Sequence, residues 1–373
     1  MATQSRGQVM KRVGGLFDEL TSWTNLDRAA QRARRGKRYR PDVAAFEFDR
    51  EYNLLRLQQQ LRDGTYHPGA FRTRVIYEPK RRLISAAPYG DRVVHHALCN
   101  VIEPVFERRF IPDSYACRKG KGNHAAVRRA SEFAARYRYV LKADIQKFFP
   151  TVDHAVLLEL VERRIKDPRV LDLIRTIVQN PGPQEPHVLW FPGDDLFTPY
   201  ERTRGLPIGN QTSQFLANVM LDPLDHFIKE QLRIRGYLRY ADDMLLFSDD
   251  KGQLGTGRDE LRDFLAGFRL KLHPRKSEVF PVAEGIRFLG YRVFATHRIL
   301  DKANVLRFRR RLRRLQRANA AGRATAPELR ARLISWMGHA SHAKTFNLVR
   351  RLLKEYKFVR PRKQAEQADG TPT

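Results

Sequence analysis

A pair of adjacent aspartates between two apolar runs constrains this sequence more than any other feature. The runs on either side, residues 236–240 and 244–248, are rich in aromatic and aliphatic side chains and predict two β-strands. Asp242 and Asp243 fall where a tight hairpin turn would connect these strands. Such a hairpin would hold both carboxylates at the edge of a sheet. Aspartate is also a common turn residue, so the pair alone leaves an ordinary turn and a catalytic site both open.

A third carboxylate ends another apolar run much earlier in the chain. Residues 140–144 predict a buried strand with Asp144 at its carboxyl end, and Thr151 or Asp153 suits the cap of the helix expected after it. An unpaired buried carboxylate is costly, so a carboxylate in this position calls for a cation. We therefore interpret Asp144 as the distant partner of the Asp242-Asp243 pair.

The charge of the chain predicts a polyanionic partner. Its 373 residues include 70 Lys and Arg against 41 Asp and Glu, which gives a net charge of +29. Residues 301–363 hold 19 Lys and Arg but 3 Asp and Glu, and residues 28–40 hold seven basic residues and no acid. A nucleic-acid backbone is the expected partner of both segments. Charge alone leaves open a basic binding protein without chemistry.

Other functional classes are disfavoured by composition. Cys99 and Cys117 form no CxxC pair, so neither a disulfide framework nor a zinc site is expected. No apolar run approaches the ~18 to 20 residues that span a bilayer, and the N-terminus lacks the apolar core of a signal peptide. We therefore expect a soluble, cytoplasmic protein that does not associate with a membrane.

Several further segments have ordinary explanations singly but occur in a specific order. A basic hairpin tip comes first, followed by the strand that ends at Asp144, a loop of small and amide residues before a helix, the Asp-Asp hairpin, a Pro-x-Lys loop and an aromatic-Gly hairpin. They occupy residues 79–84, 141–149, 205–214, 240–243, 272–276 and 288–291. A basic helical segment begins at Asp301. The series resembles the reverse transcriptases.

The resemblance implies an α+β protein with a right-hand polymerase architecture of fingers, an antiparallel-sheet palm and a helical thumb. We expect an N-terminal helical and basic extension, then fingers, a palm with a long internal loop, a thumb and a disordered tail. These regions are expected at residues 1–60, 61–135, 136–298 with the loop at 180–204, 299–360 and 361–373.

The expected chemistry is phosphoryl transfer, which needs charge neutralisation by two metal ions about 3.5 to 4 Å apart more than it needs covalent catalysis. Oxygen ligands suit Mg²⁺, with Mn²⁺ as the alternative. The resemblance makes Asp144, Asp242, Asp243 and Lys276 the catalytic residues, with Lys276 protonating the leaving group. The implied metal ligands are Asp144, Ile145, Asp242 and Asp243.

The resemblance also implies binding residues for dNTPs, for the primer-template duplex and for template RNA. The nucleotide-binding residues, among them Phe149 as a steric gate against a ribose 2′-hydroxyl, are Lys80, Arg81, Phe149, Ile208, Gly209 and Gln214. The primer grip consists of Phe288, Leu289, Gly290 and Tyr291. The basic run would contact RNA through Arg34, Arg35, Lys37 and Arg38.

One departure from the common pattern resembles a subfamily. Most reverse transcriptases carry Gln-Gly in the loop before the helix, whereas this chain has Ile208-Gly209-Asn210-Gln211, as do the reverse transcriptases of diversity-generating retroelements. That subfamily implies error-prone copying of a template RNA at adenines, a small helical accessory protein and a bacterial, phage or prophage context. Two alternatives stay open: a related standalone bacterial reverse transcriptase, used in phage defence or derived from a group II intron, and a catalytically idle RNA-binding scaffold.

Overall fold

A computed structural model describes residues 12–77, 81–180, 182, 187–356 and 358. The chain divides into two compact units, one of residues 1–122 with 140–279 and the other of residues 123–139 with 280–373. Lys80 and the tail expected at 361–373 lie outside the described residues. No helix in the described part of the chain is long and apolar enough to cross a membrane.

The structure combines helices with small antiparallel sheets, as the sequence predicts. Among the described residues the helices are α1 (Phe17–Thr21), α2 (Trp23–Arg34), α3 (Pro41–Phe48), α4 (Arg50–Arg62), α5 (Tyr89–Glu107), α6 (Asn123–Ala134), α7 (Phe148–Thr151), α8 (His154–Glu162), α9 (Pro168–Gln179), α10 (Thr198–Glu201), α11 (Gln211–His226), α12 (Lys251–Gly267), α13 (Lys302–Ala320), α14 (Ala326–Ala340) and α15 (Phe346–Glu355). The strands are β1 (Arg72–Ile76), β2 (Arg82–Ala86), β3 (Tyr139–Asp144), β4 (Gly236–Tyr240), β5 (Asp243–Ser248), β6 (Glu278–Pro281), β7 (Ile286–Phe288), β8 (Tyr291–Val293) and β9 (Arg298–Leu300).

The first unit is built on the long helix α5, whose apolar face is buried. Helix α2 packs on α5 through the small side chains of Ala29, Ala30 and Ala33, all of which are buried. The basic run of residues 28–40 therefore begins inside a packed helix. The alanines among these arginines supply the packing face, and the charge of the segment gives no indication of it.

The same unit contains the hairpin that the sequence predicts. Strands β4 and β5 pair antiparallel with Tyr240 opposite Asp243, so Ala241 and Asp242 form a two-residue turn. Strand β3 lies beside β5 in a sheet of order β4-β5-β3-β6. Asp144 ends β3 and Asp243 begins β5, so the sheet order supports the predicted association of the two segments.

The second unit combines a small sheet with the basic C-terminal helices. Strands β7, β8 and β9 form an antiparallel sheet. Phe308 and Leu312 of α13 form a buried cluster with Leu352 of α15, and the Phe308 ring stacks on Trp336 of α14 with centroids 3.7 Å apart. The arginines of α13 lie around this narrow apolar face, and the helix begins directly after Asp301, as the basic helical segment of the sequence predicts.

The end of helix α11 carries a histidine whose charge stabilises the fold. Nε2 of His226 lies 3.5 Å from Asp222 Oδ1, and its Nδ1 lies 2.6 Å from Glu230 Oε1. These carboxylates, Asp222 foremost, raise the pKa of His226 from 6.5 to about 9. The folded state therefore binds the proton more tightly than the unfolded state, and the stabilisation is complete below pH 6.5.

We expect this stabilisation to be lost as the pH rises from about 6.5 to about 9. The His226→Gln variant should lose about 1 kcal/mol of unfolding free energy at pH 6, because the pair is partly solvent-screened, and much less at pH 9.5. Urea unfolding of both proteins across this range measures the difference. A difference that does not change with pH would show that the charge of His226 contributes nothing.

Candidate active site

Three carboxylates meet where β3 ends and the β4–β5 hairpin turns. Burial raises the pKa of Asp242, and the negative charge of Asp144 raises it further. Burial, together with the charges of Asp144 and Asp242, raises the pKa of Asp243 to about 6. The charge of Asp144 thus makes ionisation of Asp242 and Asp243 less favourable, which is the electrostatic signature of a site that attracts cations.

Basic side chains from three different segments surround these carboxylates. The ammonium of Lys276 contacts Asp144, and that of Lys142 lies 3.4 Å from Asp243 Oδ1. The charges of Arg82 and Lys276 act on Asp242 and oppose the rise of its pKa. Lys276 is a sequence prediction, whereas Lys142 and Arg82 are additional. Lys142 precedes Asp144 by two positions on a strand and so shares its face, a signal that the sequence already contained.

The loop that carries Lys276 is fixed to the end of β3 by backbone pairing. His273 N donates to the carbonyl of Asp144 at 2.7 Å, and Gln146 N donates to the carbonyl of Lys271 at 2.8 Å. These two bonds flank an antiparallel bridge between Ile145 and Leu272, so the carbonyl of Ile145 takes no part in it. The pairing explains how a loop far away in sequence brings an ammonium to Asp144.

The carboxylate oxygens of this site are the type of ligand that a hard divalent cation prefers. Oδ1 of Asp243 is buried, and no group among the described residues makes a hydrogen bond to it. In the same described residues, no group of three or more His, Cys, Asp or Glu side chains is already arranged to hold a metal ion. Two of the three carboxylates in this site, Asp144 and Asp243, each pair with a lysine, Lys276 and Lys142 respectively.

The loop before α11 is joined to strand β2 by an asparagine. The side chain of Asn210 donates to the carbonyl of Ser85 and accepts from Ala87 N, both at 3.1 Å. The carbonyl of Ile208 also accepts a hydrogen bond from Ser85 N at 2.9 Å. Gly209 has φ +124°, and a Cβ there would lie 3.0 Å from Ile84 Cγ2, so the close approach requires glycine. The sequence predicts a loop of small and amide residues here, but it does not predict that Asn210 bonds to strand β2.

Two adjacent phenylalanines after β3 have different environments. Phe148 is buried in the core, whereas Phe149 is half-buried. The carbonyl of Phe149 accepts a hydrogen bond from Leu206 N at 2.8 Å, which ties it to the loop before α11. The structure thus separates a core phenylalanine from one whose ring remains partly accessible.

Comparison with known proteins decides the family. Residues 77–293 match the family described as reverse transcriptase (RNA-dependent DNA polymerase), and this span includes all three carboxylates and Lys276. The chain belongs to the reverse transcriptase family. The match confirms the predicted enzyme class, an RNA-directed DNA polymerase, and the predicted right-hand polymerase fold. Members of this family use divalent metal ions and act on template RNA.

The curated relatives of this reverse transcriptase include two bacterial proteins. Protein YkfC of Escherichia coli K12 is 28% identical over 280 residues, which cover 64% of this chain and 70% of YkfC. The group II intron-encoded protein LtrA of Lactococcus lactis is 28% identical over 182 residues, which cover 48% of this chain but 28% of LtrA. Among solved structures, a telomerase from Candida albicans with a fragment of telomeric RNA has a TM-score of 0.44 and 12% identity, covering 63% of this chain and 46% of that one.

The remaining nucleotide-binding residues expected in this reverse transcriptase are on the surface or outside the described residues. Arg81 is exposed next to the strand β2, and Lys80 belongs to the part that is not described. Gln214 is exposed on the first turn of α11, and Ile208 is half-buried. These positions are compatible with ligand contact, because none of the described side chains is enclosed in the core.

The residues expected to bind RNA are only partly available on the surface. Arg34 pairs with Glu47 at 2.8 Å. Burial, together with the charges of Arg92 and Arg40, lowers the pKa of Lys37. Arg35 and Arg38 are exposed, so they are the members of this set best placed to meet a phosphate.

The expected primer grip is a tight hairpin in the second unit. Leu289 and Gly290 form its turn with φ 48° and 87°, a conformation typical of two-residue hairpins. Phe288 and Tyr291 are buried, and the Tyr291 hydroxyl donates to the carbonyl of His339 at 2.7 Å. The aromatic side chains therefore anchor the hairpin, which leaves the Leu289-Gly290 turn as the part that can touch a ligand.

Proposed function

We propose that this reverse transcriptase copies a template RNA into cDNA by two-metal phosphoryl transfer at Asp144 and Asp242. The observation that carries the proposal is the convergence of Asp144, Asp242 and Asp243, in which burial and the charge of Asp144 raise the pKa values of the two hairpin aspartates. Mg²⁺ bound there would supply Lewis-acid stabilisation of the phosphoryl group and of the attacking primer hydroxyl. Asp144 and Asp242 would hold the ions, with the carbonyl of Ile145 beside them and Asp243 in support.

The basic side chains have separate roles in this proposal. Lys276 already contacts Asp144, so it lies next to the reacting phosphates and can donate a proton to the departing pyrophosphate. Arg81, with Lys80, would hold the triphosphate, and Arg82 would add positive charge, since its charge already acts on Asp242. Lys142 keeps Asp243 ionised by pairing with it.

We further propose that most of the fingers and palm lies in the first unit, that the palm continues with β7 and β8 in the second unit, and that residues 299–360 are the thumb. The basic helices α13–α15 would follow the phosphates of the primer-template duplex, and Leu289-Gly290 would support the primer end. Arg35 and Arg38 would contact template RNA, and a small helical accessory protein is the expected partner. Neutralising Arg35 and Arg38 together, for instance, tests the RNA contact by its effect on binding.

The finer proposal is that the enzyme belongs to the diversity-generating retroelement type. Support comes from the loop before α11, where the apolar Ile208 replaces an amide and Asn210 makes a two-point contact with the backbone of residues 85–87. An aliphatic side chain beside the nascent base pair cannot donate or accept a hydrogen bond, so base selection would depend more on shape. A group II intron-derived enzyme is the second candidate, because LtrA is named as group II intron-encoded.

Replacing Ile208 by Gln tests the finer proposal. We expect misincorporation opposite template adenine to fall about five- to tenfold, because one restored hydrogen bond contributes about 1 kcal/mol of discrimination. Sequencing of the cDNA made from a defined RNA template measures the error at each base. Ile208→Leu is the matched control and should keep the error spectrum of the native enzyme. Equal adenine errors in the native and Gln variants would contradict a role of Ile208 in fidelity.

Primer extension on an RNA template tests the function itself. Purified protein, an annealed DNA primer, dNTPs and Mg²⁺ should yield extended cDNA, and omission of the metal should abolish it. Errors concentrated at template adenines would favour the diversity-generating type, and even, low errors the group II type. Absence of extension with either Mg²⁺ or Mn²⁺ would leave the idle scaffold as the explanation.

A further inference from the structure

An ion pair without solvent exposure lies directly behind the catalytic hairpin. The side chains of Arg239 on β4 and Asp225 on α11 are both fully buried. Arg239 donates from Nε and Nη2 to the two carboxylate oxygens of Asp225 at 2.8 and 2.6 Å. The hydroxyl of Tyr237 donates to the same carboxylate at 2.6 Å. This geometry satisfies the carboxylate with three donors and fixes the guanidinium plane.

The third nitrogen of the guanidinium, Nη1, forms a hydrogen bond with the catalytic turn. Nη1 of Arg239 donates to the carbonyl of Ala241 at 3.1 Å. That carbonyl belongs to the peptide between Ala241 and Asp242, so the bond fixes the orientation of the peptide from which Asp242 begins. Ala241 has φ 54°, a left-handed conformation that residues other than glycine rarely adopt and that needs support from its surroundings.

The contact acts through geometry, because the charge of Arg239 is already balanced. The cations whose charges lower the pKa values of Asp242 and Asp243 are Arg82, Lys276 and Lys142. Arg239 instead pairs with Asp225 at contact distance, which balances its charge. Its effect on the carboxylates is therefore mediated by the backbone of the turn.

Arg239 is itself held from several sides. Its backbone N donates to the carbonyl of Asp113, and its carbonyl accepts from Tyr115 N, both at 2.9 Å. Asn218 of α11 accepts from Nη1 of Arg239 at 3.1 Å and donates to the carbonyl of Ala116 at 2.9 Å. These hydrogen bonds fix the position of the guanidinium in the core, and the guanidinium in turn bonds to the catalytic turn.

We propose that Arg239 is a positioning residue that holds the Ala241–Asp242 peptide in the orientation required for metal binding, and that Asp225 and Asn218 orient Arg239 for this purpose. The inference rests on the proposed function of Asp242. It adds to that function a fixed internal support for one metal ligand, located outside the set of residues that touch the reactants.

The test uses two variants of Arg239 with different risks to folding. Arg239→Lys keeps a positive charge for Asp225, but one ammonium cannot reproduce the bidentate pair and the bond to Ala241 together. The triple variant Asp225→Leu, Tyr237→Phe and Arg239→Met replaces the buried polar groups by apolar ones of similar size, which cores commonly tolerate. Its turn loses the donor to Ala241 while no charge is left unpaired.

We expect both variants to lower kcat by at least tenfold, to change the KM for dNTP by less than threefold, and to weaken Mn²⁺ binding by at least fivefold. Binding of Mn²⁺ to the protein alone, followed by electron paramagnetic resonance, reports on the site without turnover. Thermal unfolding establishes that each variant is folded. If the triple variant fails to fold, Arg239→Lys alone decides the outcome.

A matched control separates this role from general stabilisation. Arg92 of α5 also pairs with a carboxylate, Asp42 of α3, at 2.5 Å. Arg92→Met should lower the unfolding temperature while keeping kcat and Mn²⁺ affinity within twofold of the native values. Native kcat and Mn²⁺ affinity in a folded Arg239 variant would overturn the inference. An inactive native enzyme would instead contradict the proposed function, so the two failures can be told apart.

Discussion

Asp242→Asn should reduce cDNA synthesis by about a thousandfold or more, equivalent to about 4 kcal/mol of transition-state stabilisation. The substitution keeps the size of the side chain and removes the charge that, with Asp144, would hold the metal ions. The turn should keep its conformation, because the bond from Arg239 to the carbonyl of Ala241 does not involve the Asp242 side chain. Single-nucleotide primer extension under pre-steady-state conditions measures the loss.

The control for this variant is another aspartate-to-asparagine change far from the turn. Asp259 of α12 is exposed and pairs with Arg258 and Arg262 on the same helix, so Asp259→Asn should keep the native rate. Binding of the primer-template duplex by Asp242→Asn should remain within about threefold of native, because phosphate contacts dominate that affinity. Residual synthesis above a tenth of the native rate would show that Asp242 does not hold an essential metal ion.

Phe149→Val should raise the incorporation of ribonucleotides relative to deoxyribonucleotides by about a hundredfold, equivalent to about 3 kcal/mol of lost discrimination. The ring of Phe149 is partly accessible, and its backbone is tied to the loop before α11. A ring in that place would clash with a ribose 2′-hydroxyl, and valine would make room for it. Incorporation of each nucleotide type, expressed as kcat/KM, measures the change.

The neighbouring phenylalanine provides the matched control. Phe148 is buried with its ring 5.5 Å from that of Phe149, so Phe148→Leu should lower stability without changing the preference between sugars. An equal shift in sugar preference for both variants would mean that altered packing, not the removal of a gate, causes the effect. No shift for Phe149→Val would exclude the gate.

The sequence was most informative where local pattern and chemistry coincide. The hairpin at Asp242 and the strand ending at Asp144 could be read from apolar runs that stop at carboxylates, and the structure has both. Lys142 could have been found from the two-residue period of a strand. In the basic run at residues 28–40, buried alanines determine how the first half packs, and the charge of the run does not indicate this.

Contacts between distant segments could not be predicted from the chain. Arg82 acts on Asp242 from another sheet, and Asn210 meets the backbone of Ser85 and Ala87 across a long separation in sequence. The Arg239–Asp225 pair joins a strand to a helix. Each contact depends on the tertiary arrangement, and a single arginine or asparagine in a sequence carries no mark of its eventual partner.

Helix α11 contacts both strand β2 and the arginine behind the catalytic turn. The residue at its start, Asn210, is bonded to strand β2, while Asn218 and Asp225 further along hold Arg239. At a rise of about 1.5 Å per residue, Asn210 and Asn218 are separated by roughly 12 Å of helix, and Pro223 lies between Asn218 and Asp225. We therefore expect a displacement of the loop before α11 to change the position of Asn218, which contacts Arg239 behind the turn that carries Asp242. Mutational changes in accuracy at Ile208 should then be accompanied by changes in speed, so that the two properties evolve together.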